Sequence, residues 1–554
     1  MKLKIPNLFG KSSFRTGLFA IQSFFMLSCF QASAETVEKL LAGYLENDLQ
    51  LKKYSVTAES KALDLKSAEI NNGISVSLST GEMKITTSKD KTRITVSPSV
   101  SASVPQANAL SVSAEFPLTV EDGEKSVSNG KISATVGIIS GDKKKRQVEL
   151  LTAERELLEA KRNVQERAYS AEKEFYTNLK NLYNDAIAVL NAKASLYDDT
   201  TDLKVLIAQG YSKTSASYRQ KNLEVQSDRR NVLEKQRIFE RETSVFAKKC
   251  GLELQRIPDA DLKTLEGWIK AGENAYASAI SFLPSEIPVP KSENVFKYKK
   301  ELYTETEQAV WNKYIGELKR DADYEMSLKL TGEYVFNDSF YSDTGLDSDG
   351  NLVDYGSDSV GGKLSLSWRG ITASAGAYFP VGKTLIGDKS NDSTFNPYFA
   401  LSLAIVPNEW RLAKISRQQD ELDAKLEQIA IDSAAENYDT DLLDKVSTFH
   451  DLKWTQLSNK EEYETYNQLE SDMAKWLKQG VVTENDYLDA ENEKEKARIN
   501  ILINIVELTI FNDDVKLMFR EDAKTEAKTE SKSELKTEPN VEPAESPAIE
   551  WGEL

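Results

Sequence analysis

Phe399-Ala400-Leu401-Ser402-Leu403-Ala404-Ile405-Val406-Pro407-Asn408-Glu409-Trp410 is the stretch that decides how this chain folds. Its first half alternates Phe399, Leu401, Leu403 and Ile405 with small or polar neighbours, the period of two of a strand with one apolar face. At Pro407 the period changes. From Val406 to Phe519 the pattern is helical, and nothing breaks it for about seventy residues until Gln479-Gly480-Val481-Val482, which predicts a rod of roughly 105 Å. A second helix of about thirty-five residues returns from Thr483. The same object occurs earlier: a helix from about Asp142 to Ile207, the turn Ala208-Gln209-Gly210-Tyr211-Ser212, and a return helix ending near Cys250. Two copies about 270 residues apart read as an internal repeat.

Composition sets the outer limits. With 554 residues, 40 % hydrophobic, 29 % charged and only 26 Gly, the chain suits long solvated helices better than one compact core. Cys29 and Cys250 are the only cysteines, so neither a disulfide framework nor a thiolate metal site is available. His450 is the sole histidine, which removes histidine-cluster metal sites and any Ser-His or Cys-His dyad not made through that one side chain. With no nucleophile motif, phosphate-binding glycine loop or metal-spaced cluster, we expect no enzyme, no cofactor and no metal.

Residues 1–34 read as a signal peptide. Lys2, Lys4, Lys11 and Arg15 form a basic front, Gly17 to Phe30 an apolar core, and Ala32-Ser33-Ala34 a small-residue cleavage pattern. Cys29 either leaves with this segment or, through the lipobox-like Met26-Leu27-Ser28-Cys29, is lipidated. The apolar core is too short to span a bilayer, and no later stretch is long and apolar enough for a membrane helix. Losing four positive charges moves the net charge from −18 to about −22, the wrong sign for phosphate contacts, so nucleic acid is excluded as a partner.

From Glu35 to about Ile70 the spacing predicts one helix with Val37, Leu40, Leu41, Tyr44 and Leu45 on one face, stopped by Asn71-Asn72-Gly73. The period then becomes two, through Ile74 to Leu78, Ile94 to Val100, Leu110 to Phe116 and Ile132 to Ile138, with turns at Glu121-Asp122-Gly123 and Asn129-Gly130. Alone, such strands suit a soluble antiparallel sandwich. The export signal and the abrupt hand-over to very long helices favour a membrane barrel. The second copy repeats the order: a helix from about Ser292 to Ala322, alternation from Tyr324 to Leu330, a long polar loop from Asn337 to Gly362, and alternation through Leu364 to Trp368, Ile371 to Ala375 and Phe399 to Ile405. Such a loop is ordinary on the outward mouth of an outer-membrane barrel. Tyr334, Phe336, Trp368, Tyr378, Phe379, Tyr398 and Phe399 lie near strand ends, where an interfacial girdle or a plain core can use them.

In each copy two shorter helices end to end match the long one, so a subunit presents four helical strands of about 100 Å in cross-section. The helix from Asp142 carries an a/d-like seam through Leu150, Leu157, Val164, Ala171, Phe175, Leu179 and Leu182, which needs partners along its length and implies neighbouring subunits. The resulting organisation is a signal peptide (1–34), a first repeat (35–250), a Pro- and Gly-containing connector (251–290), a second repeat (291–520) and an acidic, Glu/Lys/Thr/Ser/Pro-rich tail (521–554) expected to be disordered.

Gly480-Val481-Val482-Thr483-Glu484-Asn485-Asp486-Tyr487-Leu488-Asp489-Ala490 resembles the G-x-x-[ST]-x-x-D-x-L-D-A tip motif of the TolC-type outer-membrane efflux family, with Trp476-Leu477-Lys478-Gln479 before it and the Ala400 to Arg411 passage also similar. The resemblance runs from Glu35 to Phe519. It implies a mixed α/β membrane protein, a transmembrane β-barrel continuing into a long α-helical coiled-coil periplasmic tunnel. It further implies a homotrimer in outer-membrane lipid, docking on a periplasmic adaptor protein and through it on an inner-membrane pump, for efflux or type I secretion. By residue, it implies a channel constriction at Asp486 and Asp489, a helix cap at Thr483, and adaptor-contacting tips at Gln209, Gly210, Tyr211, Gln479, Gly480 and Val481. Val482 stands where the family often has an arginine, and the first tip looks one residue longer and lacks the acid. The competing reading is a structural periplasmic or surface coiled-coil protein, such as an adhesin, whose eight strands close a small filled barrel that conducts nothing.

Overall fold

The computed structural model describes residues 36–81, 83–87, 92–104, 110–121, 124–127, 130–139, 141–255, 262–291, 299–323, 326–336, 338, 343–346, 352–355, 357–381 and 397–520. Residues 1–34, read above as a signal peptide and including Cys29, the tail 521–554, residues 292–298, Tyr324 and the turn residues Asp122, Gly123 and Asn129 lie outside the described residues. The chain opens with helices α1 (Val37–Asn47) and α2 (Leu49–Asn71). Eight strands follow: β1 (Ser75–Ser79), β2 (Met83–Thr87), β3 (Thr92–Val96), β4 (Ser99–Val104), β5 (Leu110–Glu115), β6 (Leu118–Glu121), β7 (Glu124–Val127) and β8 (Lys131–Ile139). Next come α3 (Asp142–Ala208), α4 (Ala216–Lys249), α5 (Leu265–Phe282) and α6 (Thr304–Asp323). Then β9 (Ser327–Val335), β10 (Asp343–Leu346), β11 (Leu352–Tyr355), β12 (Asp358–Trp368), β13 (Ile371–Val381) and β14 (Tyr398–Ile405) lead to α7 (Pro407–Lys478) and α8 (Glu484–Met518).

Two predicted helices are interrupted. The one from Glu35 breaks at Asp48, whose carboxylate accepts from the Leu51 amide at 2.7 Å as the N-cap of α2 and is also held by Arg167 of α3. The one predicted from Ser292 is, among the described residues, a 3-10 turn (Lys300–Leu302), an extended Tyr303 and then α6. Tyr303 is pulled out of helical geometry because it pairs with Phe519 beyond the end of α8.

The main sheet has eight strands in the order β1-β4-β5-β8-β9-β12-β13-β14, all neighbours antiparallel. Those continuous with long or paired helices, β1, β8, β9 and β14, stand in the left-to-right order of α2, α3, α6 and α7, with the pairs β4-β5 and β12-β13 between them. A four-stranded sheet, β2-β3-β6-β7, prolongs the first four strands beyond breaks at Gly81, Pro98, Pro117 and Gly130. Gly81 requires its glycine: φ is +66°, and a Cβ there would lie 2.0 Å from the Ser97 carbonyl oxygen. The region read as one long polar loop from Asn337 to Gly362 contains the hairpin β10-β11, and β12 already begins at Asp358. A two-residue turn of Arg369 (φ 48°) and Gly370 (φ 77°) joins β12 to β13, the left-handed pair that follows strand twist.

Below the sheet the helices form a curtain four elements wide: α2 above α4, then α3, then α6 above α8, then α7. The end-to-end joints are specific. Gly43 of α1 lies against the carbonyl after α4, where a Cβ would stand 2.2 Å from the Cys250 oxygen. At the other joint the Arg520 amide donates to the Leu302 carbonyl at 2.8 Å and the Thr304 hydroxyl to Met518 at 3.0 Å. The largest core gathers at the height of the first joint, where Leu40, Phe175, Leu179, Tyr183, Phe239, Phe246, Ile499 and Val506 are buried between α1, α3, α4, α5 and α8. Among the described residues no helix is long and apolar enough to cross a membrane.

Candidate channel wall and tunnel tips

Register sorts the main sheet into two faces of opposite chemistry. Across all eight strands one face carries Val76, Leu78, Val100, Val112, Ala114, Ile132, Val136, Leu328, Leu330, Leu364, Leu366, Ala373, Ala375, Leu401 and Leu403. The other carries Ser75, Ser77, Ser101, Ser103, Ser111, Ser113, Ser133, Thr135, Lys329, Thr331, Lys363, Ser365, Ser374 and Ser402. Hydroxyls knit this second face across strands, Ser77 to Ser101 at 2.7 Å, Ser113 to Ser133 at 2.8 Å and Thr135 to Thr331 at 2.9 Å. The apolar face is bare. Leu78 is 81 % exposed, Phe399 70 % and Leu401 83 %. An uncovered apolar surface eight strands wide suits lipid and is untenable in water.

The sheet does not close within one chain: among the described residues β1 and β14 have no strand on their outer side. The expected barrel is thus an open sheet here, with backbone donors and acceptors left at both edges. The strand-end aromatics divide by face. Tyr334, Trp368, Phe379 and Phe399 stand on the apolar face, whereas Tyr378 and Tyr398 stack on the polar face with ring centroids 4.6 Å apart. The Tyr378 hydroxyl there donates to Glu333, which also pairs with Lys131.

The far ends of the helices are two tips of the same design. After α3 the amides of Gln209, Gly210 and Tyr211 donate to Val205, Ile207 and Leu206; after α7 those of Gln479, Gly480 and Val481 donate to Lys475, Leu477 and Trp476. Gly210 and Gly480 take φ of +87° and +73°, the left-handed residue that ends a helix in this motif. Gln209, Gly210, Tyr211, Gln479, Gly480 and Val481 are all exposed, with Val481 70 % so. The first tip is two residues longer than the second, since Ser215 caps α4 five positions after Gly210 and Thr483 caps α8 three after Gly480.

Thr483 and Asp486 form a reciprocal capping box. The Thr483 oxygen accepts from the Asp486 amide at 3.2 Å, and the Asp486 carboxylate accepts from the Thr483 amide and hydroxyl, both at 2.8 Å. At the first tip the same N3 position is Tyr218, so the reciprocal half is missing. Asp486 is therefore engaged with its own helix end. Asp489 is half-buried one turn on. Burial first, then the charges of Asp198 on α3 and Glu493 on α8, push its carboxyl above the ordinary range, with Lys496 opposing. Asn485 moors α8 to α3, donating to the Tyr197 carbonyl at 3.1 Å and the Thr201 hydroxyl at 2.9 Å.

Two models of one family match this chain, the TP096X N-terminal domain over residues 40–269 and the TP096X C-terminal domain over residues 288–522. The chain belongs to the TP096X family. No curated protein matches it in sequence. Solved structures to which it is similar include the open state of the Neisseria gonorrhoeae MtrE outer membrane channel, 13 % identical with a TM-score of 0.44 over 90 % of this chain and 94 % of that one. The Campylobacter jejuni CmeC outer membrane channel is 12 % identical with a TM-score of 0.41 over 92 % and 94 %. The outer membrane protein VceC of Vibrio cholerae is 11 % identical with a TM-score of 0.38 over 87 % and 94 %.

This TP096X member also holds a polar cluster that sequence reasoning missed. Arg155 and Arg162 of α3 and Arg520 beyond α8 surround Glu159 and Glu307. Arg155 donates a fork to Glu307, with Nη2 to Oε2 at 2.7 Å, while Arg520 reaches Glu159 at 2.7 Å and Glu307 at 2.6 Å. Burial acts to raise the Glu307 carboxyl, but the Arg155 hydrogen bond and the charges of Arg162, Arg155 and Arg520 outweigh it and hold the group down at about 2. The cluster clamps α3, α6 and the end of α8 together, and Trp311 lies 5.1 Å from the Arg155 guanidinium. Its members are 365 positions apart at the extremes in a chain rich in charge, so no local spacing marks them.

Proposed function

We propose that this protein is an outer-membrane channel of the tripartite-efflux or type I secretion kind, a passive duct without an active site of its own. Its helical part hangs in the periplasm, and a periplasmic adaptor and an inner-membrane pump open it. The observation that carries the reading is the pairing of a bare apolar sheet face and a hydroxyl-lined opposite face with open edges, directly continuous with helices of 67 and 72 residues. Lipid covers the first face, water fills the space inside the second, and copies of the chain, three in our reading, close the edges. The exposed glycine tips suit adaptor contact. Asp486 and Asp489, repeated around a neck, make carboxylate rings that favour cations.

Purified protein in a planar bilayer tests this. Discrete conductance from a detergent-stable oligomer is the expected result; a monomer without conductance removes the reading. Within an active channel, Asp486→Asn with Asp489→Asn should weaken cation preference. Unchanged ion selectivity would move the constriction elsewhere.

A further inference from the structure

We propose that each copy contributes eight strands, not four, to the membrane wall, and that the seam between copies is β14 of one laid on β1 of the next. This rests on the channel reading above and sets the size of the pore. The four strands continuous with long or paired helices, β1, β8, β9 and β14, would make a four-stranded contribution alone; the pairs β4-β5 and β12-β13 are inserted between them in full hydrogen-bonded register.

Four observations support the seam. The first is direction. Every neighbour in the main sheet is antiparallel and the strand number is even, so β1 and β14 run opposite ways and a second copy extends the sheet without reversing the alternation. The second is facing. Val76 and Leu78 on β1 lie on the same side as Leu401 and Leu403 on β14, so joining the edges continues both the lipid face and the hydroxyl face. Third, the widths are comparable. Tilted by about 40°, eight strands at about 4.8 Å take roughly 50 Å of circumference against roughly 40 Å for four helices at about 10 Å, so sheet and curtain form arcs of one wall that widens toward the strands.

The fourth observation is the charge of the helical edges beneath those strands. Under β1 lies the α2/α4 edge, and α4 holds nine Lys and Arg against five Asp and Glu. Under β14 lies α7, with sixteen Asp and Glu against nine Lys and Arg. α7 also exposes Ile415, Leu422, Ile429, Leu443 and Leu457, spaced by sevens or fourteens, and α2 exposes Leu49, Val56, Leu63 and Ile70 at sevens. Opposite charge and matching apolar repeats place a second copy on this edge, continuous with the strand seam. Three copies then give twenty-four strands and a backbone cylinder roughly 45–50 Å across, allowing a tilt of about 40°.

Cysteine pairs across the seam test it. In a Cys250→Ser background, one version of the chain carries Ser77→Cys and a co-expressed version carries Ala400→Cys, Ser402→Cys or Ala404→Cys, so that a disulfide can form only between chains. We expect a crosslinked dimer on a denaturing gel for at least one of these registers. Placed in a single chain, the same pair should give dimers and trimers. A single-chain crosslink at monomer mass would show that the eight strands close on themselves and would overturn the proposal. So would a stable oligomer that gives no crosslink in any register. Should the protein be monomeric in detergent by native mass, the channel reading itself falls first, which separates the two failures.

Discussion

Replacing Glu307 by Gln removes one charge from a cluster in which three arginines surround two carboxylates, and, at nearly the same size, turns one of the two oxygens that accept from those arginines into an NH2 donor. The Glu307 carboxyl sits at about 2 in the fold against an ordinary 4.5, and its side chain is only 24 % exposed. That difference corresponds to about 3 kcal/mol of differential stabilisation at neutral pH. The sign follows from the depression. The contribution is complete above the unfolded value, falls to roughly half near pH 3, and is lost as pH drops through about 2. Trp311, stacked beside Arg155, is a local reporter. In a urea titration in detergent, followed by Trp311 emission as the difference from a Trp311→Phe control, E307Q should lower the midpoint by up to about 1 M at pH 7 and by less at pH 3. Equal midpoints for the two proteins at pH 7, or a deficit that grows on acidification, would refute the idea that this ion cluster clamps α3 to α6.

Two further outcomes follow from single side chains. Gly43→Ala drives a methyl into the Cys250 carbonyl, which neither helix can yield easily, and should cost about 1–3 kcal/mol at the α1–α4 joint, read as faster amide exchange in α1 with the tips unaffected. Asp513 behaves oppositely to Glu307. Burial and then Glu172 push its carboxyl up to about 6, with Lys516 opposing, so its ionised form is a penalty that is full above about 6 and absent below its ordinary 3.8. Asp513→Asn should therefore raise the denaturation midpoint at pH 8 and leave it unchanged at pH 4, whereas a loss of stability at pH 8 would show that the charge is needed.

The sequence by itself determined the strand-to-helix hand-over at Pro407, the lengths of α3 and α7, the glycine tips and the Thr483 cap. All of these are local: periodicity, a left-handed glycine and a capping box lie within a few residues of one another. The two faces of the sheet were legible for the same reason, because alternation assigns each side chain to a face before any partner strand is known. Only the tertiary structure decided where helices break. Asp48 and Tyr303 leave helical geometry because of Arg167 and Phe519, 119 and 216 positions away. It also decided which charged residues gather into the Arg155–Glu307–Arg520 clamp, and that the alternating runs add up to eight strands in one sheet with two edges left open. Those are properties of contacts between segments far apart in the chain, and a one-dimensional pattern records what each segment can do, not which partner it meets.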